Sequence, residues 1–264
     1  MLDLSWIQYT LIALIFIWSG FVRSGLGFGG AVLSLPFLLM VHNDPLVYLP
    51  LISVHLLVFS SITIIKSNST RFQKNDHDPV KTPHESTIDW PYLKQAMSIM
   101  IIPKLIGVLG LITLPSSLMS GIIFSIVGFY SLTYIFNKPF NSNNKKLDIL
   151  FLILGAYISG TSLIGAPLII TVFANHVNKH QLRDTLFALW FILVAIKMSA
   201  FIYVGIDLQL IHHIWLLPCA AAGHMIGLRF HHYILTADTA VFYRVVGIAL
   251  LFISITGLIQ NILS

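Results

Sequence analysis

The stretch Gly20-Phe-Val-Arg-Ser-Gly-Leu-Gly-Phe-Gly-Gly-Ala-Val-Leu-Ser-Leu-Pro36 decides how this chain folds. Its glycines and its proline interrupt a run that is otherwise apolar. A related stretch, Gly155-Ala-Tyr-Ile-Ser-Gly-Thr-Ser-Leu-Ile-Gly-Ala-Pro167, follows in the second half of the chain. Because glycine weakens a helix and frees backbone polar groups, each stretch predicts a helix that breaks inside its apolar surroundings.

Composition shows which environment surrounds these breaks. The chain has 264 residues, of which 56% are hydrophobic and 9% are charged, and its mean hydropathy is +0.86. A soluble domain carries about 25% charged residues, so this sequence has too few charges for a surface in water. The composition predicts an all-α, polytopic membrane protein.

Charge and cysteine content exclude other classes. The net charge of +5 does not indicate a nucleic-acid partner, because the basic residues lie scattered in short loops and form no stripe. The single cysteine, Cys219, permits neither a disulfide framework nor a cysteine-based metal site. No metal or other cofactor is expected.

Apolar runs predict ten segments, of which eight to ten cross the bilayer. Three are short enough to be half-helices or re-entrant arms, namely the second, sixth and seventh. The segments are 5–22, 27–41, 46–65, 95–113, 117–136, 147–160, 164–175, 184–205, 210–228 and 238–261.

Polar stretches divide the chain and orient it. The domains are a first transmembrane repeat at 1–136, a linker at 137–146 and a second repeat at 147–264, and a polar loop is predicted at 66–92. If the ten segments alternate sides, 13 of the 15 basic residues fall on one side of the membrane and none in the loops of the other. The positive-inside rule then predicts both termini outside, with the 66–92 loop and the linker cytoplasmic, in a bacterial inner membrane.

The odd number of segments in each half determines how the two halves are oriented in the membrane. Five segments in each half force the second half to insert upside down, which is the inverted-repeat plan of many secondary transporters. Two inverted breaks would meet near the midplane, where half-helix N-termini favour an anion. Alternatively, the glycines only allow helices to pack closely.

The first stretch, from Gly20 to Pro36, resembles the signature of the TauE/SafE family of sulfite-exporter-like permeases. It is most similar to the branch in which an arginine precedes a Gly-x-x-Gly-Phe-Gly-type motif, and Gly155 to Pro167 resembles the family's second copy. The resemblance covers essentially the whole chain. It implies transport of sulfite, organosulfonates such as sulfoacetate or related anions, without an ATPase subunit.

Basic residues inside apolar segments point to an anion independently. Lys104 and Lys197 lie deep in segments four and eight, where a charge costs at least about 2.5–3.5 kcal/mol, and no acidic residue lies equally deep. Each lysine either contributes to transport, reaches the interface or is neutral. Arg23 either anchors the cytoplasmic end of segment one or enters the site, where its guanidinium suits a sulfonate or sulfite.

Two histidines lie deep in segments three and nine. His55 and His224 either move a proton coupled to the anion or hydrogen-bond between helices. Trp190 occupies the position in the second half that matches His55, so this feature is not symmetric.

The sequence thus predicts a secondary transporter, with export expected, that moves small sulfur-containing anions by alternating access of two inverted halves. The alternatives are an uptake permease for another anion or organic solute, and a membrane scaffold without transport. An intramembrane enzyme is not expected, because the apolar segments lack a His-Glu-x-x-His, a pair of aspartates and a Gly-x-Ser-x-Gly motif. The expected partners are the lipid bilayer and a small anion, and a homo-oligomer is left open. The predicted substrate-binding residues are Arg23, Ser24, Gly25, Gly27, Phe28, Gly29, Gly30, Lys104, Ser159, Gly160, Thr161, Ser162, Gly165 and Lys197.

Overall fold

The computed structural model describes residues 4–26, 30–75, 86–138, 140–236 and 239–263. Within these ranges the chain forms ten α-helices, one 3₁₀ turn at Leu210–His212 and no strand. The all-helical prediction is therefore confirmed. The helices are α1 (Trp6–Leu26), α2 (Leu35–Val41), α3 (Pro45–Asn75), α4 (Trp90–Thr113), α5 (Ser116–Ile135), α6 (Lys145–Ser162), α7 (Ala166–His176), α8 (Lys179–Val204), α9 (His213–Thr236) and α10 (Thr239–Leu263).

Seven helices of the described part are long and apolar enough to cross a membrane: α1, α3, α4, α5, α8, α9 and α10. Large hydrophobic side chains such as Ile102, Leu109 and Phe252 are exposed along them, as contact with lipid requires. The other helices are shorter: α2 has seven residues, α7 has 11, and α6 has 18. The chain is a polytopic membrane protein.

Several predicted boundaries are wrong, and two of them concern the polar loop and the first break. The polar loop was expected to begin at residue 66, but α3 continues to Asn75, since the next helix-breaking residue is Pro79. The second segment was expected to start at residue 27, but α2 starts at Leu35 after turns at residues 30–34. Pro36 lies in the first turn of α2, where its missing N–H costs nothing.

Several other helix ends follow local sequence signals. The side chain of Asp89 accepts a hydrogen bond from the backbone of Tyr92, and Asn144 accepts one from Leu147, so both act as N-caps. Helix α8 ends at Gly205, whose φ of +78° is a left-handed conformation that glycine adopts without strain.

Two helical hairpins contain the breaks. In the first, Gln8 near the start of α1 donates to the carbonyl of Val41 at the end of α2, over 2.9 Å. In the second, His176 at the end of α7 lies 2.9 Å from Asp148 in the first turn of α6. Each short helix therefore returns to the level at which its hairpin began.

The two hairpins enter from opposite faces. Asn43, which follows α2, contacts Asn261 near the end of α10, and we call this end of the molecule the terminal face. The base of the second hairpin lies beside the start of α4, where Tyr92 stacks on His176, and we call this end the opposite face. Helix α8 joins the two ends, and its 26 residues measure about 39 Å.

The helix contacts have a regular pattern. Helix α1 packs on α9, α4 on α6, α3 on α8 and α5 on α10. Exchanging α1–α5 with α6–α10 converts the first pair into the second and leaves the last two unchanged. The first two pairs also use the same device, because Gly20 and Gly223 lie against backbone atoms of the facing helix, as do Gly107 and Gly160.

Candidate functional site

The tips of the two hairpins line one cavity, which we call the central cavity. Gly30, Ala31 and Val32 come from the first tip, and Leu163 and Ala166 come from the second. The cavity encloses about 550 Å³ of empty space, counting its mouth. Its walls are completed by α3 and α8 and by Arg23 and Ser159 from the last turns of α1 and α6; the residues from α3 and α8 are Leu56, Phe187, Trp190, Leu193 and Val194.

Arg23 is the charged group of this cavity. Its side chain is 8% exposed, and its guanidinium carbon lies 3.9 Å from the ring centre of Phe59 on α3. This burial excludes the interpretation of Arg23 as an interfacial anchor. Its Nη2 atom is buried and has no hydrogen-bond partner among the described residues. A buried guanidinium with unused donors is costly, so the cavity presents an unsatisfied positive group.

Ser24 and His224 form a contact beside Arg23. The Ser24 hydroxyl is hydrogen-bonded to Nδ1 of His224 on α9, and the ring of His224 lies 5.3 Å from that of Phe59. Phe59 thus has Arg23 on its ring and His224 at its side. His224 connects helices α1, α3 and α9, which is the interhelical role that the sequence left open.

Lys104 and Lys197 are fully buried, so neither extends to the membrane interface. The Lys104 ammonium donates to the carbonyl and the hydroxyl of Ser159, at 2.9 and 3.0 Å. The Lys197 ammonium donates to the carbonyl of Thr161 at 3.3 Å. Both lysines therefore bind the last turn of α6, where unpaired carbonyls and the helix dipole favour a cation.

The break after α6 is strained. Leu163 has a φ of +62°, a left-handed conformation that costs a residue with a side chain about 1–2 kcal/mol. The hydroxyls of Thr161 and Ser162 donate to the carbonyl of Ile158, and neither residue lines the central cavity. Of the predicted polar residues in this segment, Ser159 alone reaches the cavity wall.

Gly160 and Gly165 allow close backbone contact. A Cβ atom on Gly160 would lie 2.5 Å from the carbonyl oxygen of Lys104, and one on Gly165 would lie 2.0 Å from that of Gly155. No side chain fits at either position. These contacts support the packing interpretation of the two glycines, which hold the second tip close to α4 and α6.

The first glycine block is described only in part. Gly25 lies in the last turn of α1, and Gly30 lines the cavity, where a Cβ would come within 3.2 Å of the Arg23 Cβ. Gly27, Phe28 and Gly29 lie outside the described residues.

His55 lines a second, smaller cavity next to the first, which we call the side cavity. Arg23, Gly30, Ala31 and Leu56 line both cavities. His55 is 3% exposed, and its Nδ1 lies 2.7 Å from the carbonyl oxygen of Leu51. Its sequence counterpart Trp190 lines the central cavity instead, so the two positions face different spaces.

Two side chains near the cavities, Phe59 and His213, were missed by the sequence analysis. Phe59 follows His55 by four residues and therefore shares its helix face, a signal that could have placed it near the site. His213 is not among the predicted residues, yet it is 6% exposed and its ring lies 5.3 Å from that of His55. No spacing in the sequence connects these two, because they meet only through the packing of α3 and α9.

Two helix breaks that line one cavity with a buried arginine, inside a bundle of helices long enough to span a membrane, define a polytopic membrane protein with an internal cavity. Comparison with known families identifies the family: residues 12–257 match the model of the family described as sulfite exporter TauE/SafE. The chain belongs to this family of membrane transporters. No curated protein and no solved structure matches it significantly.

Proposed function

We propose that the protein is a secondary transporter for small sulfur-containing anions, such as sulfite or an organosulfonate, and that Arg23 binds the anion. The observation that carries this proposal is Arg23, a buried arginine that lines the central cavity and whose Nη2 atom lacks a partner among the described residues. An oxyanion entering the cavity supplies the missing acceptor. A guanidinium binds such a group through two parallel hydrogen bonds.

The charges around the cavity support an anion rather than a cation or a neutral solute. No acidic residue is among the described residues that line either cavity. Lys104 and Lys197 lie behind Ser159 and Thr161, and each of them in its protonated form adds positive potential without taking up space in the cavity. Ser159 supplies a hydroxyl at the wall. The two lysines thus act through their field, and Arg23 acts by contact.

Alternating access of two inverted halves is the proposed mechanism. It is supported by the helix pairs, which are exchanged or preserved when α1–α5 and α6–α10 are interchanged, and by hairpin tips that approach one cavity from opposite faces. In this mechanism one half rocks against the other around the fixed anion. Export is the proposed direction.

The proposed orientation has the terminal face outside and the opposite face in the cytoplasm of a bacterial cell, in the inner membrane. Exposed basic side chains at the opposite face support it: Lys94, Lys145, Lys146, Lys179 and Arg183. The loops of the terminal face carry Asp44 and Asp207 instead. An excess of Lys and Arg in the short loops of one side is the feature that sets the orientation of such proteins, with that side in the cytoplasm.

Flux measurements test the proposal. Purified protein in liposomes, at alkaline pH, is expected to move sulfite or sulfoacetate with saturation, and Arg23→Gln is expected to abolish the flux. The matched control is Arg229→Gln, which removes an exposed arginine of α9 and should leave flux unchanged. Each purified variant is first checked by size-exclusion chromatography, and only variants that elute as a monodisperse peak are used.

The possible failures differ in meaning. Folded wild-type protein that moves neither anion would overturn the sulfur-anion assignment. A broad solute screen would then test the alternative, an uptake permease for another anion or organic solute. If Arg23→Gln keeps full flux, the proposal of anion transport stands, but the proposal that Arg23 binds the anion is overturned.

A further inference from the structure

We infer that His55 and His213 form a proton-binding pair that couples transport to proton movement, an inference that rests on the proposed anion transport. The two rings lie 5.3 Å apart at an angle of 41°, on α3 and at the start of α9. Both side chains are buried. This pair differs from the two histidines that the sequence suggested, because His224 binds Ser24 instead.

Backbone contacts fix the protonation of each ring. Nδ1 of His55 lies 2.7 Å from the carbonyl oxygen of Leu51, and Nε2 of His213 lies 3.3 Å from that of Leu208. A carbonyl oxygen only accepts, so each of these nitrogens carries the hydrogen. The other nitrogen of each neutral ring is then an acceptor, namely Nε2 of His55 and Nδ1 of His213.

These two acceptors are the atoms without partners. Nε2 of His55 and Nδ1 of His213 are both buried and have no hydrogen-bond partner in the described part of the chain. Two buried acceptors without a donor, on rings whose centres are 5.3 Å apart, are unfavourable at this depth. A proton taken up by either ring converts its unpartnered acceptor into a donor.

The position of the pair connects the proton to the anion. His55 lines the side cavity together with Arg23, while His213 contacts Leu208 in the loop at residues 206–209, which leads to the terminal face. Charged or titratable neighbours of the pair are Arg23 on α1 and His212 next to His213. The pair therefore lies between the anion site and one side of the membrane.

The sign of the coupling follows from Coulomb's law. With the site empty, the positive charge of Arg23 repels a second positive charge on the pair. A bound anion neutralises Arg23 and removes this repulsion, so anion and proton favour each other's binding. The two are expected to cross the membrane in the same direction.

The test uses labelled sulfoacetate, a sulfonate whose charge stays constant near neutral pH, in liposomes with the membrane potential clamped. Counterflow at equal pH on both sides reports anion exchange, and net accumulation under an imposed pH gradient reports coupling. With one proton per anion, wild-type protein should accumulate sulfoacetate about tenfold per pH unit, towards the alkaline side.

His213→Gln is the deciding variant, because glutamine can still donate to Leu208 but cannot take up a proton. It should retain counterflow and lose accumulation, and His55→Gln should also lose accumulation. His180→Gln, at an exposed histidine of α8, should match wild type in both assays.

The outcomes separate the two proposals. Counterflow without any response to the pH gradient in wild type, or full accumulation by both pair variants, would overturn the proton-binding pair and leave anion transport intact. Absence of counterflow in folded wild type would overturn the transport proposal, and the pair would lose its role with it.

Discussion

Replacing Gly107 by alanine should separate α4 from α6. The added Cβ would lie 2.3 Å from the carbonyl oxygen of Tyr157, about 1.1 Å short of the 3.4 Å at which ordinary contact begins. Both atoms belong to backbone or are fixed to it, so the helices must move apart. A shift of about 1 Å would also stretch the bond between Lys104 and Ser159, now 2.9 Å, beyond hydrogen-bonding distance.

Overpacking of this kind costs about 1–3 kcal/mol. The matched control is Gly110→Ala, one turn further along the same helix, where an added Cβ meets nothing within 4 Å. There the better helix propensity of alanine should stabilise the protein by up to about 1 kcal/mol. The free energy of unfolding, measured by SDS titration in detergent micelles, compares the two. Equal stability of the two variants would refute the proposed close contact of α4 and α6.

Three further predictions concern the lysines, the cavity wall and the orientation. Lys104→Met should lower the melting temperature more than Lys197→Met, because Lys104 makes two short hydrogen bonds and Lys197 one longer bond; the reverse order in a thermal scan would contradict their assigned roles. Trp190→Ala should widen the central cavity and raise the flux of bulky organosulfonates relative to sulfite, and an unchanged ratio in a competition assay would remove Trp190 from the wall. In a background without the native cysteine, Asp207→Cys should react with an impermeant maleimide on intact cells, whereas Lys146→Cys should react only after permeabilisation; the opposite labelling would invert the topology.

Sequence alone predicted the helices well where the length of an apolar run sets both ends of the helix. The segment predicted at 117–136 is α5, Ser116–Ile135, and the one predicted at 238–261 is α10, Thr239–Leu263. It failed at the polar ends, as at residues 66–75, because a helix continues past the membrane until a residue interrupts it. The breaks after Gly25 and Gly160 were also predictable, since glycine and proline mark them.

The contacts within the site were not predictable in the same way. Arg23 could be proposed for the site, but its position over Phe59 depends on how α1 packs against α3. Lys104 and Lys197 were predicted among the substrate-binding residues, and the structure shows that they donate to successive parts of one helix end. Nothing in the spacing of residues 104, 159, 161 and 197 indicates these bonds, because they join three separate helices.

Under the proposed function, the environments of Arg23, Lys104 and Lys197, the buried lysines and arginine of the described residues, would decide which of them meets the substrate. A cation deep in a bilayer needs a negative partner, and no carboxylate lines the described walls of either cavity. Lys104 and Lys197 donate instead to the carbonyls of Ser159 and Thr161, in the last turn of α6. The break in α1 leaves Arg23 with an aromatic ring and a free nitrogen instead. Under the proposed function the two breaks would therefore differ in role: the end of α6 supplies acceptors for the protein's own lysines, and the end of α1 leaves Arg23 for an anion to bind.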